Sequence, residues 1–394
     1  MKKEIVIVEG ARTPVGSYGG SLKDLQVYEL GAIAIEAALE RAKVSKELVG
    51  EVIIGTIAQT VQGHNPARTA SLTAGLPIET PAYTVNKLCG SGLKAVELAY
   101  LTLLAGHQDI VVAGGMESMS NYPYLSFGSR WGERMGDGRL IDALIYTLTD
   151  PFCGLHMGGT AENVAEMYGI TREEQDEFAY QSHKKAVAAI ADGRLLEEVV
   201  PVEIKDKKGS RIFKADEGPR SDISLEALAK LKPVFKQDGT VTAGNASSIN
   251  DGASALVMMT GEKAEELGLR PLARILSFGS AAVDPAVMGI GPIPATEIAL
   301  KRAGLTLEQI ELIELNEAFA AQSLGVIKGL GLNKEIVNVN GGAISIGHPL
   351  GMSGNRILLG LLYEMRRRKL RYGLASLCIG GGQGITVVVE NIYN

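Results

Sequence analysis

Residues 34–55, AIEAALERAKVSKELVGEVIIG, return 261 positions later as residues 295–316, ATEIALKRAGLTLEQIELIELN. In both copies an Ala/Leu-rich helical stretch ends in Arg-Ala, passes a short turn and a small second helical turn, and enters an apolar strand. Two further pairs keep the same order. TVN at 84–86, before Cys89, answers to NVN at 338–340, before Gly341, and IVVAGGM from Ile110 answers to LASLCIGGG from Leu374. Coincidence of composition competes as an account of either pair alone. Together they read as two copies of one βαβ-type half, facing each other.

Outward from the first copy, strand-like runs at 5–8, 51–55, 83–85 and 110–113 alternate with helical runs at 29–42 and up to residue 105. That alternation argues for an α/β chain with a largely parallel, helix-covered sheet. Residues 118–250 do not fit the repeat. They carry Trp131, a charged helical pattern from Thr171 and turn-rich pieces such as KDKKGS, and an insertion of this length reads as a lid or binding region.

The 394 residues are 46% hydrophobic and 21% charged, which suits two or three packed domains and excludes a disordered chain. A formal charge of −6 offers no grip on a polyanion, so no nucleic-acid partner is expected. The basic run Arg366, Arg367, Arg368 and Lys369 follows an apolar stretch and reads as a solvated helix C-terminus. Cys89, Cys153 and Cys378 are an odd number, widely spread, which argues against a disulfide framework and for a reducing compartment. No apolar run reaches the roughly 18–20 residues that cross a bilayer, and the N-terminal one is too short for a signal peptide. The expectation is a cytoplasmic chain with no membrane partner.

Cys89 lies in YTVNKLCGSGLKAVELAYLTLLAG, where a strand passes through a Gly-rich turn into a helix expected to be buried nearly all round. A helix N-terminus aims its positive end at this thiol and is expected to lower its pKa; an inert buried cysteine is the alternative. His348 stands in a loop of six glycines, VNVNGGAISIGHPLGMSGNRILLGLL, stiffened by Pro349, and reads as a base or as a structural histidine. Cys378 ends LASLC before IGGGQG. A strand and not a helix follows, so this is a tight turn open to a ligand and not a dinucleotide motif. Asn316 begins NEAFAAQ after a buried strand, and is either a helix cap or part of a site. The three cysteines and five histidines show no metal-ligand spacing, so no metal is expected.

Seven ordered motifs resemble the thiolase family over essentially the whole chain. They are NKLCGSGLKAV around Cys89, GGMESMSNYPY from Gly114, HMGGTAENVAE from His156, VTAGNASSINDGA from Val241, NEAFAAQ from Asn316, GGAISIGHPLGMSG from Gly341 and CIGGGQG from Cys378. The resemblance implies a five-layered αβαβα thiolase fold built from two duplicated halves with mixed sheets and an inserted loop domain. By that account residues 1–118 with 250–268 form the first half, 119–249 the insertion that binds coenzyme A and makes oligomer contacts, and 269–394 the second half.

The resemblance also implies ping-pong acyl transfer: reversible Claisen condensation of two acetyl-CoA to acetoacetyl-CoA and CoA through an acyl-Cys89 intermediate. Degradative cleavage of longer 3-oxoacyl-CoA chains is the alternative, and a catalytically silent CoA-binding scaffold is the competing class. His348 would take the Cys89 proton and Cys378 the proton at C2 of the second substrate. One oxyanion site would use His348 and a water held by Asn316, the other the backbone N–H groups of Cys89 and Gly380. A decarboxylating synthase would be expected to carry a histidine in place of Cys378.

By the same resemblance Ser247 meets the pantetheine, Arg220 the nucleotide end, His156 and Met157 wall the acyl pocket, Met288 and Phe319 look like its bulky lining, and Ala243 and Ala318 are further substrate- or CoA-binding positions. As a plain surface arginine, Arg220 would read the same, and so would Met288 and Phe319 as core. No prosthetic group is implied beyond coenzyme A and acyl-CoA as substrates, and a homodimer or homotetramer is expected, with residues 122–139 at the tetramer contact. Met352 replaces a residue usually small in the family and is expected to narrow the space beside His348. Cys153 lies close to the His156 motif.

Overall fold

Strand β1 (Ile5–Arg12) has apolar side chains on both faces, so both must be covered. Ile5 and Ile7 pack into one buried cluster, and Val6 and Val8 into another on the opposite face. The computed structural model describes residues 3–59, 64–206 and 209–393.

Strands β2 (Glu51–Gly55), β3 (Ala82–Val85), β4 (Ile110–Ser118) and β5 (Asn250–Thr260) join β1 in the order β1-β5-β4-β2-β3. The second half follows the same plan. Its strands β6 (Ala273–Ala282), β7 (Leu312–Leu315), β8 (Tyr372–Ile379) and β9 (Gln383–Asn391) run β6-β9-β8-β7, and a parallel bridge from Ile313 to Val337 takes the place of β3. The half-sheets meet where Val6 and Ile7 pair with Arg274 and Ala273.

Among the named strands, parallel pairing joins only β2 with β3 and β4, and β7 with β8, so the sheet is mixed and not largely parallel. The hairpin between β8 and β9 shows why. Gly381 and Gly382 take φ of 75° and 78°, and a turn that short can only return the chain antiparallel.

Helices α1 (Val27–Ala42) and α2 (Pro66–Thr73) cover the outer face of the first half-sheet. Helix α3 (Ser91–Leu104) lies on its inner face. The insertion contributes α4 (Met157–Tyr168) and α5 (Arg172–Ala191). Helices α6 (Pro292–Ala303) and α7 (Ala320–Leu330) cover the outer face of the second half-sheet, and α8 (Leu350–Arg368) joins α3 in the middle. The layers are therefore αβαβα, the thiolase fold. Each fully buried Leu, Ile or Val of the central cluster contributes roughly 1.5–3 kcal/mol against exposure.

Helix α3 is not buried all round: Leu101 is 47% exposed near its C-terminus. Helix α8 ends as read, with Arg366, Arg367 and Arg368 in its last turn and Lys369 left-handed beyond it. The insertion is tied to β1 by Arg12, which is fully buried. Its Nε donates to Glu198 at 2.7 Å and its fork to Asp216 at 2.7 and 2.9 Å. Such a charge tolerates burial only with partners of this geometry.

Candidate active site

The turn that presents Cys89 is held by short-range bonds. Leu88 sits at φ 47°, a conformation supported by its N–H donating to Asn86 Oδ1 at 2.9 Å. Ser91 Oγ donates to Leu88 O at 2.6 Å and accepts from Lys87 N at 2.8 Å, and Gly90 then caps α3. From the other half, His348 N donates to Asn250 Oδ1 at 2.8 Å. The residue before it, Gly347, has φ 116° and lies so close that a Cβ would come within 2.6 Å of the Asn250 side chain.

Cys89 and His348 converge because the helices behind them touch backbone to backbone. A Cβ on Gly92, in the first turn of α3, would lie 2.6 Å from the carbonyl oxygen of Gly351, in the first turn of α8. No residue larger than glycine fits there.

Cys89, His348 and Cys378 line one cavity of about 390 Å³. Asn316 follows β7 and places Nδ2 3.5 Å from His348 Nε2, while Phe319 caps α7, so Asn316 is not the helix cap. Its Oδ1 has no partner in the chain and is free to accept.

The His348 ring is oriented by Ser353, whose Oγ lies 2.6 Å from Nδ1. Ser353 donates its one hydroxyl proton to Pro349 O at 2.9 Å, so it accepts from Nδ1–H. That leaves the lone pair on Nε2, facing the cavity. Burial, with Arg356 nearby, pushes His348 down to about 3, so the ring is neutral.

Cys89 departs from the expectation. It is half-buried at the edge of an open cavity, and the surrounding protein pushes its thiol up to about 11 by desolvation, against the opposing N–H groups of Gly380 and Cys89 itself. Desolvation outweighs those two N–H groups. Burial raises Cys378 as well, and the neighbouring Cys89 raises it further. The resting pair is therefore thiol and neutral imidazole.

The apolar wall is built from His156, Met157, Phe235, Met288, Ala318 and Phe319. His156 stacks on Phe235 with ring centroids 4.8 Å apart, and Phe235 meets Phe319 edge-on at 6.2 Å. Ala243 and Ser247 line the same cavity, and Ser247 N donates to Ala318 O at 3.0 Å. Among the described residues, no group of three His, Cys, Asp or Glu is placed to hold a metal ion.

Residues 5–262 match the family model described as Thiolase, N-terminal domain, and residues 269–391 the one described as Thiolase, C-terminal domain. The chain belongs to the thiolase family. A relative from Syntrophomonas wolfei named acetyl-CoA acetyltransferase is 53% identical over 99% of this chain and 100% of its own. The crystal structure of the Bacillus anthracis acetyl-CoA acetyltransferase superposes with a TM-score of 0.98 at 46% identity, covering 99% of both chains. Human mitochondrial 3-ketoacyl-CoA thiolase in complex with CoA gives 0.96 at 44% identity over 99% of this chain and 98% of its own.

Some candidate residues of this thiolase fall outside the cavity. Arg220 is exposed, its backbone N–H donating to His183 Nδ1 at 3.1 Å. Gly380 lines a neighbouring hollow and reaches the site only through its backbone N–H toward Cys89. Met352 does not narrow the space beside His348: it packs into an apolar cluster with Val15, Leu195 and Ile346. The helix turns it to the face opposite the cavity. Cys153 is half-buried, with its N–H on Asp150 Oδ1.

Sequence reading missed Ser353, Asn250 and Phe235. Ser353 stood within the quoted HPLGMSG motif, five residues after the histidine and on the same helix entry. Asn250 stood within the quoted VTAGNASSINDGA motif, while Phe235 carries no local signal, because it reaches the site only through tertiary packing.

Proposed function

We propose that this chain is an acetyl-CoA C-acetyltransferase that condenses two acetyl-CoA to acetoacetyl-CoA and CoA, reversibly, through an acyl-Cys89 thioester. The observation that carries the reading is a neutral imidazole with its lone pair turned toward a cavity that also holds two thiols.

Cys89 Sγ attacks the thioester carbonyl as His348 Nε2 takes its proton, which then leaves on the CoA sulfur. Nε2 is an acceptor before that transfer and a donor after it, so one nitrogen serves both the thiol and a developing oxyanion. Once CoA has left, His348 is neutral again and takes the proton of Cys378, whose resting form is the thiol. Cys378 as thiolate then takes the C2 proton of the second acetyl-CoA. The enolate closes the carbon–carbon bond on the acyl carbonyl and expels the Cys89 thiolate, which regains its proton from His348, while Cys378 keeps the C2 proton and is again a thiol. Donors around the oxyanions, each worth on the order of 3 kcal/mol, make so weak a carbon acid reactive. The backbone N–H groups of Cys89 and Gly380 and the Asn316 side chain supply them.

Coenzyme A enters along Ala243 and Ser247, with Arg220 at the nucleotide end outside the cavity. We read residues 119–249 as the inserted segment that binds it, between a first half at 1–118 with 250–268 and a second at 269–394. Trp131 at 87% exposed and Met135 at 97% lie within 122–139, the segment we assign to contact between dimers in a tetramer. No helix of the described residues is long and apolar enough to cross a membrane, in keeping with a cytoplasmic enzyme.

Cleavage of longer 3-oxoacyl-CoA is the second reading, favoured by the mostly apolar lining of the cavity, with Met157, Phe235, Met288, Ala318 and Phe319. Comparing thiolysis of C4 and C10 substrates decides between them. Covalent labelling by acetyl-CoA tests the common mechanism: Cys89→Ala must abolish it, and label surviving that change refutes the nucleophile.

A further inference from the structure

Glu117, in β4, is fully buried and does not line the catalytic cavity. Its carboxylate gathers donors from both halves of the chain. Oε1 accepts from Thr56 Oγ1 at 3.0 Å and Ala58 N at 3.4 Å; Oε2 accepts from Ile57 N at 3.1 Å and Gly351 N at 3.0 Å. The last bond is the telling one. Helix α8 has no side-chain cap of its own, because Pro349 stands at its N-cap. Glu117 supplies that cap from a neighbouring strand, and a carboxylate also suits the positive end of a helix.

The first turn of α8 also carries Ser353, the residue that orients His348. We propose that Glu117 is a positioning residue for acyl transfer: by capping α8 at Gly351 it fixes Ser353, and through Ser353 the His348 imidazole, against Cys89. This rests on the Cys89–His348 reading above. No slack exists in the chain of contacts, since a Cβ on Gly351 would lie 2.4 Å from Met116 O and 2.9 Å from Glu117 Oε2. Only an acceptor of two-oxygen reach serves all four donors. An amide in its place would turn an NH₂ toward two of them. Burial pushes Glu117 up to about 7, and the titratable groups facing it are Tyr122 and Cys89. At pH 8 it is the ionised acceptor the geometry requires.

The test is single-turnover acylation by acetoacetyl-CoA at pH 8, read by intact-protein mass, for the wild type, Glu117→Gln, Ser353→Ala and the double variant. Acylation in Glu117→Gln should slow at least tenfold with KM changed less than threefold, and the double variant should be no slower than the slower single. Additive losses, a change confined to KM, or wild-type acylation in a less heat-stable protein would each overturn the proposal. If Glu117→Gln does not fold, the isosteric Thr56→Val, which removes one donor from the carboxylate, decides. It should slow acylation about threefold at unchanged KM, and an unchanged rate overturns the proposal. Failure of the wild type itself to acylate at Cys89 would instead sink the underlying reading of the site.

Discussion

Nδ1 of His348 lies 2.6 Å from the hydroxyl oxygen of Ser353, and because Ser353 spends its own proton on Pro349 O, that contact decides which ring nitrogen is free to act. Ser353→Ala releases the tautomer. A buried donor left unpaired costs roughly 1–3 kcal/mol, so single-turnover acylation of Cys89 should fall about tenfold to a hundredfold. Little change in the CoA KM should accompany it, since Ser353 does not line the cavity.

The titration of the thiol gives a second test. With Cys89 pushed up to about 11, the thiolate is a minor species at neutral pH and gains tenfold with each pH unit below that value. Alkylation of the substrate-free protein by iodoacetamide should rise about tenfold per unit from pH 7 to 10. A plateau from pH 7 would mean a preformed thiolate. Turnover behaves differently, because His348 at about 3 keeps its lone pair at every pH above about 4, and acylation retains its base down to pH 5.

Packing of the two central helices predicts a stability effect with a kinetic signature. In Gly92→Ala the new methyl would lie 2.6 Å from Gly351 O, so α3 and α8 must part. Overpacking of this kind costs about 1–3 kcal/mol. Urea denaturation should show that loss, and acylation should fall with it, since the same contact brings Cys89 and His348 together.

Met288, 3% exposed, closes part of the apolar wall. Met288→Ala should lengthen the pocket and favour C6 over C4 3-oxoacyl-CoA by roughly tenfold in kcat/KM, at about 0.8 kcal/mol for each methylene newly buried. An unchanged ratio would place the acyl chain elsewhere.

Arg12→Met leaves Glu198 and Asp216 buried without their cation, and should destabilise the fold by about 3–5 kcal/mol in denaturant titration.

The doubled architecture and the residues that meet at the cavity were legible in the sequence, for different reasons. Residues 34–55 and 295–316 share one pattern because they fill the same place in two half-sheets, so the letters carry the topology. Cys89, His348 and Cys378 stand among glycines that mark close backbone approach. What holds those groups was less legible. Asn250 and Glu117 act across long sequence separations and look locally like ordinary strand residues. The acidity of Cys89 was misread, because the helix terminus is visible in the letters while the desolvation opposing it is a property of the assembled layers. Met352 was misplaced for a similar reason, since helix phase beyond Pro349 sets the face it occupies.

The glycine seam between α3 and α8 has a consequence for how this chain can be divided. Cys89 stands at the mouth of a helix from one copy of the repeat, and His348, Asn316 and Cys378 come from the other. On the proposed assignment neither copy owns a reaction centre: cut apart, one would keep a sulfur with nothing to take its proton, and the other a base without the thiol it serves. Chemistry in this molecule is a property of the joint, so any drift in how the copies seat would be felt first as lost turnover, before the fold itself gave way.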